Sequence, residues 1–142
     1  MAEIAVKANA RKSNGSTSVK AAGLVTATGA SAAVYVGKGL VGIELAWTAI
    51  EISDNDELCL VTIQMNTEAA PTVWLDSQVM VPLGATEVVA SSGDATATGS
   101  VKFAIDTGYD GFEIREKHWI SGTVATGFNY TVKVIPGSFI TE

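Results

Sequence analysis

From Phe112 to Val134 the chain reads FEIREKHWISGTVATGFNYTVKV, two alternating segments joined at Ser121-Gly122-Thr123 and Thr126-Gly127. Phe112 and Ile114 alternate with Glu113 and Arg115, while Phe128, Tyr130, Val132 and Val134 alternate with Asn129, Thr131 and Lys133. A period of two places one face of an extended segment in a core and the other in water, where a helix would repeat every 3.6 residues. The stretch therefore predicts a pair of strands joined as a β-hairpin, with Trp119 and Tyr130 as core or interface anchors.

The same rhythm runs upstream. Val41, Ile43, Leu45 and Trp47 share one face of a segment, as do Cys59, Val61, Ile63 and Met65 of the most apolar one, with Leu60, Thr62 and Gln64 opposite. Val73, Leu75, Val79 and Val81 continue the pattern and leave Trp74 on the other face; Glu87–Ala90 and Val101–Ile105 add two more segments. Ser91–Ser100 reads as a polar loop. This gives about eight strands between residues 32 and 136, spaced by turn signals, and an all-β fold in which a jelly-roll-like β-sandwich is the natural eight-stranded arrangement. The 142 residues suffice for one core. Residues 1–31, polar and small around Ser13–Ser18, predict an extended N-terminal arm, and residues 32–142 the sandwich domain.

Candidate chemistry is sparse. Catalysis needs an acid/base pair, a nucleophile with its base, or a metal, and the chain holds one histidine, His118, and one cysteine, Cys59. Each lies in or beside an alternating segment, where packing or a single hydrogen bond is expected. Gly37-Lys38-Gly39 lacks the spacing of a phosphate loop, since Leu40 follows and no helix pattern begins there. The acidic run Asp54–Glu57 leads into Leu58-Cys59-Leu60, and Asp106–Gly111 reaches Lys117 where a calcium loop needs a glutamate. Both read as turns. No catalytic, cofactor or metal residue is assigned, and the protein is expected not to be an enzyme.

Charge divides the chain. Residues 1–40 carry Lys7, Arg11, Lys12, Lys20 and Lys38 against Glu3, a balance of +4, whereas the remainder carries four basic and fourteen acidic residues, a balance of −10. A basic arm on an acidic body could reach an acidic partner surface or be merely solvated. The acidic body disfavours nucleic acid. No apolar run approaches the roughly 18 residues of a membrane span, despite a mean hydropathy of +0.29. The first residues lack a signal-peptide pattern, so synthesis in a cytoplasm is expected.

Three features together resemble the small jelly-roll cementing proteins that decorate tailed-phage heads. They are the strand opened by Asp54-Asn55-Asp56-Glu57-Leu58-Cys59-Leu60-Val61, the Val73-Trp74-Leu75-Asp76-Ser77 segment, and the closing Ile114-Arg115, Ser121-Gly122-Thr123 and Tyr130-Thr131-Val132. The resemblance covers residues 32–136 and is one of rhythm. The N-terminal arm and Glu116-Lys117-His118 depart from it. It implies a homo-oligomer, dimer or trimer, that binds the outer surface of an assembled head and bridges subunits of the major capsid protein, and so a place on the virion. Lys7, Arg11, Lys12, Lys20, Trp74 and Trp119 are the candidate partner-binding residues. A carbohydrate-binding sandwich, with Trp74, Tyr109 and Trp119 as stacking platforms, is the alternative, as is a virion spike or fibre component.

Overall fold

A computed structural model describes residues 17–48, 50–52, 58–84, 93–96, 98–122 and 127–135. The strands are β1 (Thr17–Lys20), β2 (Leu24–Val25), β3 (Gly29–Ala30), β4 (Val34–Tyr35), β5 (Leu40–Trp47), β6 (Ile50–Ile52), β7 (Leu58–Thr67), β8 (Ala70–Gly84), β9 (Gly93–Thr96), β10 (Gly99–Asp106), β11 (Gly111–Ser121) and β12 (Phe128–Val134). The first sheet runs β1-β12-β5-β10, with β2 also on β12. The second runs β3-β11-β7-β8, with β4 also on β11, and β6 and β9 form a separate ribbon. Every pairing is antiparallel. The two main sheets pack as a β-sandwich.

The alternating residues set the inner faces. Val41, Ile43 and Leu45 of β5, Cys59, Val61 and Ile63 of β7, and Phe128, Tyr130, Val132 and Val134 of β12 are all buried in one core. Each fully buried aliphatic or aromatic side chain contributes about 1.5–3 kcal/mol relative to exposure. β7 is central in its sheet, between β11 and β8, in keeping with its apolar composition.

Three expectations change. β11 and β12 are not a hairpin: they lie in different sheets, and the Ser121-Gly122 turn begins a crossing between layers. Their inner faces meet across the core, which a hairpin could not achieve because its strands share one sheet. Ser91–Ser100 is not simply a loop, since β9 pairs with β6 and β10 opens at Gly99. Of the predicted arm, residues 17–31 are extended but bonded to both sheets. β1 and β2 line β12, and β3, followed by β4, lines β11, so the stretch closes one side of the sandwich and satisfies edge groups there. Residues 1–16, with Lys7, Arg11 and Lys12, lie outside the described residues, as do Asp54–Glu57 and Glu87–Ala90.

Gly37-Lys38-Gly39 is a turn, with φ of 76° at Gly37 and 100° at Gly39, a left-handed region that glycine enters without penalty. Thr107 Oγ1 lies 2.9 Å from Gly37 O and 3.0 Å from Gly39 O. In the following turn Asp106 Oδ1 accepts the Gly108 N–H at 2.9 Å, so that carboxylate serves the backbone. Among the described residues no helix is long and apolar enough to cross a membrane.

Candidate functional site

Continuing the period of two along β11 from Ile114 brings Glu116 and His118 to the inner face. Glu116 is 0% exposed and His118 7%. One carboxylate oxygen, Glu116 Oε2, accepts the Tyr130 hydroxyl and lies 2.7 Å from His118 Nδ1. The other imidazole nitrogen, Nε2, is 3.0 Å from Ala27 O; a carbonyl only accepts, so Nε2 carries the proton. Gly29 makes room for the ring, because a β-carbon there would sit 3.3 Å from Nε2. The Tyr130 and His118 rings meet edge to face at 6.4 Å. Glu116 Oε1 is buried without a hydrogen-bond partner among the described residues.

Two more groups border this cluster. Lys20 Nζ donates to Tyr130 O at 2.8 Å and to Ala21 O at 3.0 Å, and stands 4.1 Å from the Tyr130 ring centroid. Burial pulls the Lys20 pKa down, against the opposing pull of the Glu116 charge. Burial pushes the Cys59 thiol up to about 12, well away from nucleophilic range, although its hydrogen bond with Tyr130 works the other way. The Tyr130 phenol is raised too, first by burial and then by the Glu116 charge and hydrogen bond. Both imidazole nitrogens are engaged and the thiol stays protonated, so the cluster ties β11, β12, β1 and the 27–29 segment together as a buried polar network.

A second constellation lies on the outer face of the second sheet, on the opposite side of β11. Arg115 Nε donates to Gln64 Oε1 at 2.8 Å, Gln64 Nε2 donates to Asp76 Oδ1 at 2.8 Å, and the guanidinium carbon stands 4.4 Å from the Trp74 ring centroid. Two residues along β11, Lys117 Nζ stands 5.6 Å from the Trp119 ring centroid. Both indoles are half-buried. A β8 bulge between the Met80 and Asp76 pairings folds back over Thr62, whose hydroxyl meets Ser77 Oγ and Val79 O. The face is consequently held by its own side chains.

The structure thus brings Trp74 and Trp119 to one face and does not bring Lys20 to it, because that side chain turns toward Tyr130 at the closed side of the sandwich. Sequence reasoning missed Glu116. The signal was available: two further steps from Ile114 at the established period give two polar residues in inner positions. Among the described residues no group of three His, Cys, Asp or Glu could hold a metal. The sequence matches no protein-family model and no curated protein.

Proposed function

We propose that this protein is a structural component of a phage head, a decoration protein that binds the outside of the assembled shell and bridges coat subunits through the outer face of its second sheet. The observation that carries this reading is the Trp74–Arg115 stack. Its guanidinium is held over the indole by Gln64, itself anchored to Asp76, so a half-exposed aromatic and a cation are ordered before a partner arrives. Trp and Arg are the residues most enriched where interfaces concentrate their binding energy, and prior ordering lowers the entropy lost on binding. Lys117 and Trp119 extend the same face. Further support is that His118 is turned inward, with both imidazole nitrogens engaged by Glu116 and Ala27.

Binding only the assembled state shifts assembly toward it, and many copies on one shell multiply modest individual contacts. The test is co-sedimentation with heads assembled without the protein, beside unassembled coat protein. Pelleting with heads alone is expected, and Trp74→Ala or Arg115→Ala should weaken it at least about tenfold. Absence of binding to heads, or equal binding to free coat protein, contradicts the proposal. Two indoles on one sheet face also suit a glycan; saturable glycan binding that Trp74→Ala abolishes, without head binding, would favour that second reading.

A further inference from the structure

The outer faces of the two sheets carry their cations differently. On the first sheet Lys133 of β12 and Lys102 of β10 both stand in register with Glu44 of β5, one on each side. On the second, Arg115 stands in register with Gln64 of β7, and Lys117 with Thr62 of β7 and Ala30 of β3. Opposite charges on neighbouring strands stabilise a sheet, and these registers give Arg115 and Lys117 no such neighbour.

The second face does hold two carboxylates, Glu113 and Asp76, but amides engage them. Asn66 Nδ2 donates to Glu113 Oε1 at 3.0 Å, and Gln64 Nε2 donates to Asp76 Oδ1 at 2.8 Å. Arg115 uses its Nε on Gln64 Oε1. Among the described residues its other N–H groups and Lys117 Nζ make no hydrogen bond, and neither side chain is ion-paired. Each stands by an indole instead, Arg115 by Trp74 and Lys117 by Trp119. Between the two pairs runs an apolar strip: Leu60, in register with Trp119 and Pro82, and Met80, which is 46% exposed.

We infer that carboxylates of the coat subunit complete this face, one against Lys117 and one against Arg115, flanking an apolar side chain seated on Leu60 and Met80. The inference rests on the head-binding role proposed for this face and names the chemistry of the coat segment that meets it. Covering the strip and the two indoles takes water from both cations. An interface that desolvates a cation without supplying an anion loses the affinity its apolar contacts gain. A neutral coat segment or an uncharged glycan has that defect, whereas a carboxylate accepts charge-assisted hydrogen bonds from the unclaimed N–H groups. Because the chain as a whole carries a net charge of −6, the attraction is local to this face and fixes register more than it speeds capture.

Carbodiimide coupling on heads carrying the protein tests this, because it joins an amine to a carboxylate in contact with it, with loss of water and no spacer. Mass spectrometry is expected to find Lys117 joined to an aspartate or glutamate of the coat protein. Lys117→Arg, which keeps the charge and lacks the amine, should bind heads within about twofold of wild type and give no such product, whereas Lys117→Gln should bind at least about tenfold more weakly. Arg115→Glu/Lys117→Glu should not bind heads, with the fold intact by circular dichroism. Heads that bind with Lys117 uncoupled, or that bind Lys117→Gln as tightly as wild type, overturn this inference and leave the head-binding role standing. Absence of any head binding overturns both.

Discussion

Glu116 and Tyr130 carry the most consequential contact in the core, a carboxylate bonded through one oxygen while the other has no partner among the described residues. Tyr130→Phe removes a donor to that carboxylate and is expected to cost about 1.5–3 kcal/mol in urea unfolding, the range for hydrogen bonds to charged groups. Glu116→Gln combined with Tyr130→Phe should cost less than the two separate losses added, because both act on one network. The raised thiol and phenol also set a pH dependence. Cys59 loses its proton from pH 9 in the unfolded chain but only near 12 in the folded one, so its contribution is fully present below pH 9 and declines as pH rises toward 12. Tyr130 adds the same sign above pH 10, while Lys20, with its lowered pKa, adds the opposite sign below 10.5. Urea unfolding between pH 8 and pH 11 should therefore separate wild type from Cys59→Ala by a slope of up to about 1.4 kcal/mol per pH unit above pH 9. Parallel curves would remove Cys59 from the explanation.

At the level of elements, period-two reading located the inner faces of β5, β7 and β12 because each of their inner positions is apolar or aromatic. It stopped short on β11, where Glu116 and His118 break the apolar series while keeping the geometric one: His118 was expected to pack or make a single hydrogen bond, and Glu116, its buried partner, was given no inner position. The hairpin expectation failed for a related reason, since turn chemistry at Ser121-Gly122 is local and does not specify whether the next strand stays in the same sheet. In β8, Val73 and Leu75 do lie on the inner side, but burial depends on what lies opposite, which alternation does not encode. The Trp74–Arg115 stack was only half legible: the pattern put Trp74 on the outer face, but its partner lies two strands away. Gly111 is another contact set by tertiary structure. A β-carbon there would meet Thr107 Oγ1 at 2.3 Å and Gly37 O at 2.8 Å. Gly111→Ala should destabilise by about 1–3 kcal/mol in thermal or urea unfolding, as overpacking does, and an unchanged midpoint would show that the 37–39 turn can retreat.

Taken whole, the molecule combines a side closed by residues 17–35, a side at which β8 and β10 are the last strands of their sheets among the described residues, and an outer sheet face bearing two cation–indole pairs. Trp74→Ala/Trp119→Ala should lose head binding even with the fold intact by circular dichroism. The most direct measurement is a cryo-EM map of phage heads carrying the protein. Density for the sandwich on the outer surface, with the Trp74 and Trp119 face against neighbouring coat subunits, is the expected result. Heads whose outer surface lacks that density, or sandwiches attached with this face turned to solvent, would contradict it.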